Sequence, residues 1–209
     1  MAPSPQLPAA AEGDDGVSAR AYAASTSGGP LRQGEVLTGL RIKKLAVESV
    51  TDGSEDLLVT VPFAFVIVAS QDCDLEQDHR IRFGDSDKIP TLPSVLLYEV
   101  VTAEALKASR PDLNRGSLPW TNAQQNKNER YHFLEAVPQD CDARGEGLPE
   151  LAIDFKRYLT VPTEELYART ARGDVHRRSR LESPFLEHWS FRHAAFQCRV
   201  ALPRQHTSE

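Results

Sequence analysis

The sequence predicts an α+β domain: a β-barrel or strongly bent, mostly antiparallel sheet capped by C-terminal helices. Three observations lead there. Apolar runs of strand length follow one another between about residues 31 and 160, separated by Gly, Pro and Asp-Gly turn signals. One of them, Phe63 to Ala69 (FAFVIVA), is the chain's densest β-branched and aromatic run, the composition of a strand covered on both faces. The clearest amphipathic helix comes last, with Phe185, Trp189, Phe196 and Val200 at near-helical spacing after Ser183 as N-cap and Pro184 in the first turn.

In chain order, residues 1–30 are rich in Ala, Pro, Ser and Gly, cannot bury enough apolar surface to offset ordering, and are expected to be disordered. One α+β domain over 31–203 follows, with a β-rich core to 160, a helical cap over 161–203, and a frayed end at 204–209. The segment Leu31 to Leu37 reads as a tight turn at Gly34 into a strand. Arg41 to Val50 reads as the next strand, Thr51-Asp52-Gly53-Ser54 as a turn, and Leu57 to Thr60 as the approach to the central run, so that Gly34 to Ala69 forms a β-meander. Glu76 to Pro93 reads as a charged loop and Val95 to Val101 as a strand. Thr102 caps a short helix over 103–108, and 109–128 is loop-like. Tyr131 to Val137 and Leu151 to Leu159 are strands, and a helix starts at Thr163 with Glu164 and Glu165 in its first turn.

With 40% hydrophobic and 26% charged residues, the composition is that of an ordinary globular protein. A net charge of -6 excludes a general nucleic-acid coat but not a local basic patch. Three widely spaced cysteines argue against a disulfide framework and for a reducing compartment. No apolar run approaches the roughly 20 residues that span a bilayer, and no signal-peptide pattern opens the chain. The expectation is a cytoplasmic protein without membrane contact, without a cofactor, and with a protein partner.

The central run releases directly into Ser70-Gln71-Asp72-Cys73-Asp74, a polar rim on a rigid base. Asp72, Cys73, Asp74, Asp78 and His79 supply metal-ligand types within eight residues, without CxxC or HExxH spacing; the same residues also suit an acidic turn. Cys73 is a candidate nucleophile with His79 or His132 as base, although the carboxylates on either side oppose a thiolate. Catalytic and metal-binding residues are therefore left unassigned, and the candidate rim is Ser70, Gln71, Asp72, Cys73, Asp74 and His79. The tetrad Gln-Asp-Cys-Asp recurs at Gln139 to Asp142 without flanking similarity, which reads as coincidence. The only basic run offers Arg172, Arg177, Arg178 and Arg180 as nucleic-acid contacts, with Trp189 as a stacking platform or, from its apolar stripe, a core residue.

Two of these stretches carry a resemblance. SQDCDLEQD together with RLESPFLEHWSFRHAAFQCRVALP resembles an uncharacterised bacterial family of about this size, to which no activity attaches. More remotely, QGEV, VIVAS and LLYEVV resemble the layout of MazF/PemK-type toxins, small SH3-like barrels that cut RNA, over Leu31 to about Ala108. Those toxins carry an arginine just before the central strand, where this chain has Pro62-Phe63, so no catalytic residue carries over. The resemblance implies a non-catalytic binding or accessory module of a bacterial toxin–antitoxin or defence system. A ribonuclease-like toxin descendant, or a metal- or thiol-dependent hydrolase using Asp72-Cys73-Asp74, are the alternatives.

Overall fold

The computed structural model describes residues 20–46, 58–84 and 87–199. Seven strands form one curled antiparallel half-barrel sheet: β1 (Tyr22–Ala24), β2 (Glu35–Thr38), β5 (Phe65–Val68), β6 (Ser94–Thr102), β7 (Tyr131–Leu134), β8 (Leu151–Pro162) and β9 (His176–Leu181). Their order across the sheet is β1-β9-β2-β5-β6-β8-β7. Strands β3 (Arg41–Leu45) and β4 (Leu58–Pro62) pair with each other as a separate hairpin. Helices α1 (Asp72–Phe83), α2 (Ala103–Ser109), α3 (Ser117–Gln124), α4 (Thr163–Ala171) and α5 (Phe185–Gln197) pack around the sheet.

The most apolar strand, β5, takes the middle position. Alternation divides its residues between two cores: Ile67 joins Tyr98, Phe155 and Trp189 on one face, while Val66 and Val68 join Leu75, Leu97 and Leu166 on the other. A third, smaller cluster of Leu106, Leu113, Ala123 and Tyr131 packs α2 and α3 against the β7–β8 end. The sheet bends through irregular register. Between Tyr98 and Val100 of β6, partners on β8 jump from Tyr158 to Ile153. The segment after β7 crosses back to the opposite edge, where Tyr22 Oη donates to the Glu135 carbonyl at 2.9 Å and the Ala143 amide donates to the Arg178 carbonyl at 2.8 Å. Edge strand β7 is blunted by one side chain. Asn126 accepts from the Phe133 amide at 2.7 Å and donates to the Phe133 carbonyl at 3.0 Å, occupying the ladder positions another strand would use.

Several expectations are corrected. Residues 34–69 are not a meander: β2 pairs with β5 and β9, and β3–β4 leaves the main sheet. The hairpin carries Arg41, Lys43 and Lys44, a pattern unsuited to a position covered on both faces, whereas β2 and β5 are buried. Order starts before Leu31, because β1 pairs with β9 and because Arg177 donates to the carbonyls of Gly28, Gly29 and Pro30 at 2.8–3.1 Å. The region 161–203 is not purely helical, since it contains β9. Helix α1 replaces the expected polar turn and loop, and a 3-10 turn (Pro111–Asn114) with α3 lies within the expected loop 109–128. Thr102 caps α2 as predicted, its Oγ1 accepting from the Ala105 amide at 3.1 Å. Ser183 does not cap α5, which begins at Phe185 without a side-chain cap. The tail 1–19, the Thr51–Ser54 turn, and Val200 to Glu209 lie outside the described residues.

Candidate binding cleft

The polar rim after β5 is an extension of sheet pairing by side chains. Where the backbone leaves the ladder, Ser70 Oγ accepts from the Leu96 amide of β6 at 2.9 Å. On the other side, Asp72 Oδ1 accepts from the Gln33 amide at 2.7 Å and receives the Arg32 Nε at 3.2 Å. Gln33 Nε2 returns a bond to the Ala69 carbonyl at 3.2 Å, and the Gly34 amide donates to the Val68 carbonyl at 2.9 Å. The turn at Gly34 requires glycine: φ is 76°, and a Cβ would lie 2.9 Å from a Leu186 methyl. Asp72 then opens α1, where a negative charge complements the helix dipole.

Past that point the rim residues diverge. Gln71, Cys73 and Asp74 face solvent; among the described residues the Cys73 thiol meets only Gln71 Oε1 at 3.7 Å and Asp74 Oδ1 at 3.8 Å. Among the described residues no base approaches it, for His132 is buried on β7 and His79 packs elsewhere. Asp78 is fully buried and committed, accepting from Arg82 Nε at 3.0 Å and from the Leu92 amide at 2.9 Å. Among the described residues, no group of three or more His, Cys, Asp or Glu side chains gathers as a metal site.

Of the basic run, Arg177, Arg178 and Arg180 lie on strand β9 rather than in a linker, Arg172 follows α4, and all four are paired. Arg177 pairs with the buried Glu35 of β2 (Nε to Oε1, 2.7 Å). Facing β2, Arg178 is the extra residue of a bulge, Val36 pairing with Ser179 and Leu37 with Arg177. The bulge lets Arg178 grip Asp142 through two bonds of 2.7–2.8 Å. Asp142 also accepts from the amides of Arg144, Glu146 and Gly147 at 3.0–3.3 Å. Burial alone would raise the Asp142 carboxyl, but the Arg178 guanidinium and these amides hold it below the usual carboxylate range. Arg180 pairs with Glu182 and Arg172 with Asp174, both at the surface.

Two predicted residues, His79 and Arg177, come together. They line an open cleft of about 810 Å³ bounded by α1, α4, the start of β9, the segment around Gly28–Gly29 and the turn after Asp142. Its aromatic wall is a trio: His79 and Phe83 ring centroids are 4.8 Å apart, Phe83 and Tyr167 meet edge-to-face at 5.2 Å, and His79 lies 5.5 Å from Tyr167. Tyr167 is buried and fixed, its Oη accepting from the Leu31 amide at 3.1 Å, whereas Phe83 is 58% exposed. Arg82, Arg144 and His176 add to the lining, and Glu164 is its only carboxylate among the described residues. The counter-charges of the arginines sit away from the lining, on Asp78, Glu146 and Glu35. Burial, then the Arg177 charge, lower the His79 pKa against a smaller opposing pull from Asp78, so the ring is predominantly neutral at pH 7. Ser25 also lines the cleft, and its buried hydroxyl has no hydrogen-bond partner among the described residues. Phe83, Tyr167, Arg82 and Arg144 were not visible as candidates, because three separate segments, α1, α4 and the turn after Asp142, bring them together.

A second polar group lies under α5, without a cleft. Trp189 is fully buried and stacks on His193 at 5.7 Å; it is core and unavailable to a nucleic-acid base. Phe196 packs with it, but Phe185 is 40% exposed. Tyr98 Oη meets His193 Nδ1 at 2.8 Å and accepts from Gln197 Nε2 at 2.6 Å. Nearby, burial, with Arg192 and His188 contributing, pushes the His132 pKa down to about 3. The Tyr98–His193 contact is the only hydroxyl–histidine hydrogen bond among the described residues.

No described helix is long and apolar enough to cross a membrane. In comparisons with protein-family models, with curated proteins and with solved structures, nothing matched the chain at a significant level.

Proposed function

We propose that this chain is a non-catalytic binding or accessory module and that the cleft between α1 and α4 is where it engages its ligand or partner. The observation that carries the reading is the exposed Phe83 held against the anchored Tyr167 ring, in a cleft lined also by arginines, histidines and serines. Such a surface is suited to binding. The lining hydroxyls and histidines are not hydrogen-bonded to one another, and the Cys73 thiol lies on a separate, solvated face. The cellular setting is a bacterial toxin–antitoxin or defence system in the cytoplasm, a setting that rests on the resemblance of Leu31 to Ala108 to toxin barrels. The curled antiparallel sheet speaks for architecture and not for activity.

The ribonuclease-like alternative has one observation in its favour: three arginines and two histidines share the cleft with an exposed aromatic ring. A single comparison separates the readings. The full chain is incubated with single-stranded RNA, beside His79→Ala and Phe83→Ala variants. The binding-module reading expects no cleavage by any of the three. Cleavage by the wild type that disappears in His79→Ala overturns it in favour of the nuclease.

A further inference from the structure

Resting on the cleft as a binding site, the geometry points to its ligand class: we propose that it takes a free mononucleotide, a planar heteroaromatic ring joined to a phosphate. The cleft has the size of a small-molecule site, about 810 Å³. Its two kinds of wall come from different elements, and each suits one half of such a molecule. Helices α1 and α4 provide Phe83, supported edge-on by Tyr167 and flanked by His79, so that Phe83 is preset and exposed to a stacking partner. Base–aromatic stacking needs no more than this, since every base has a π-face.

The start of β9 and the turn after Asp142 provide His176 and Arg144. Arg144 is anchored at its backbone, where its amide donates to Asp142, while its side chain stays 47% exposed and holds Glu146 only at 3.4 Å. A guanidinium in a weak, exposed pair is free to exchange that carboxylate for a phosphate, which it can meet with two parallel N–H donors. Arg82 and Arg177 stand behind, and their partner carboxylates, Asp78 and Glu35, are fully buried and turned to structural donors. The cleft therefore presents cations at its surface and keeps all but Glu164 of the neighbouring acids out of its lining. The Ser25 hydroxyl lies buried behind the same wall without a partner among the described residues, and largely neutral His79 offers a ring nitrogen without adding a charge.

The test is isothermal titration calorimetry on the full chain with the four ribonucleoside 5′-monophosphates, adenosine, inorganic phosphate and a single-stranded tetranucleotide. At least one monophosphate is expected to bind more tightly than adenosine and than phosphate alone. Phe83→Ala and Arg144→Ala are each expected to weaken it roughly tenfold. Both side chains are about half exposed, and an unchanged melting temperature verifies that the fold is intact. Adenosine binding as tightly as AMP would overturn the anionic half of the ligand while leaving the cleft as a binding site. A tetranucleotide binding more than tenfold tighter than every mononucleotide would make a nucleic-acid strand the occupant and overturn the proposal. Binding of none of these probes would also overturn it, while the RNA comparison above judges the binding-module reading independently.

Discussion

The same four residues, Gln-Asp-Cys-Asp, occur at Gln71–Asp74 and Gln139–Asp142 and meet opposite fates. Both copies begin a helical turn after an extended residue, Gln71 itself in the first case and Pro138 in the second. Locally, then, the tetrad behaves alike. The first copy runs on into a three-turn helix; the second stops after one 3-10 turn at Asp142. Cys73 is exposed and Cys141 buried; Asp74 is exposed, while Asp142 holds together Arg178 and three backbone amides. Tertiary partners decide which acid becomes structural: in the first copy it is the second residue, Asp72, and in the second copy the fourth, Asp142. The two copies nevertheless serve one end. The first launches the helix that carries His79, Arg82 and Phe83, and the second anchors the turn that carries Arg144, so each supports a wall of the cleft.

The contrast breaks most visibly at the fourth position. Asp142→Asn leaves the buried Arg178 guanidinium with only the half-exposed Glu146 carboxylate, 2.9 Å away, as counter-charge and is expected to cost about 3 kcal/mol in urea unfolding. Asp74→Asn, at the matching position, should stay within about 0.5 kcal/mol of wild type. Equal losses would mean that the tetrads do not differ as described.

Acid sharpens the same contrast. Because the folded state holds the Asp142 carboxyl below its usual range, its stabilisation is present at neutral pH and is lost as pH falls through the folded pKa. His132 acts in the same direction: its neutral folded form is favoured above pH 6.5, and stability drains as pH falls from there toward about 3. Unfolding free energy measured against pH should therefore fall in both proteins, with the gap between wild type and Asp142→Asn narrowing in acid. A constant gap would contradict the role assigned to Asp142.

A smaller effect is expected at the second position. Asp72→Asn keeps a carbonyl for the Gln33 amide but loses a partly exposed ion pair and a charge at the start of α1, and should cost about 1 kcal/mol by chemical denaturation. A loss as large as that of Asp142→Asn would assign the first tetrad an unseen buried role. With no stability change expected at all, a thiol reagent applied to the native protein should label Cys73 and spare Cys141, whose thiol burial pushes up with help from the Asp140 charge. Peptide mass spectrometry reads the two sites separately, and comparable labelling would contradict the difference in burial.

How much of this was legible in the sequence follows the same division between local and distant causes. Strand β5 announces itself because it is apolar on both faces, and it takes the centre of the sheet. The Gly34 turn, the Thr102 cap and the buried Trp189 were legible for the same reason, each being written in a few adjacent residues or one stripe. Helix α1 was missed because its buried stripe is thin, Leu75 and Ile81 with the charged Asp78 between them. Its acidic first turn, arginine-rich last turn and following Gly84 were the available signal. Strand β9 was missed because three of its six residues are arginines, and the carboxylates that make their burial tolerable lie 36 and 142 positions away. The cleft was half legible: His79 and Arg177 stood out singly, but nothing in the sequence joins Phe83, Tyr167 and Arg144.

The central claim, that the cleft between the walls raised on the two tetrads is the binding site, is tested most directly by soaking crystals of the full chain with a library of small aromatic and anionic fragments. Density is expected to collect against Phe83 and Tyr167, with acidic fragments reaching Arg144 or His176. An open, lattice-free cleft that stays empty while fragments gather elsewhere on the molecule would contradict the account.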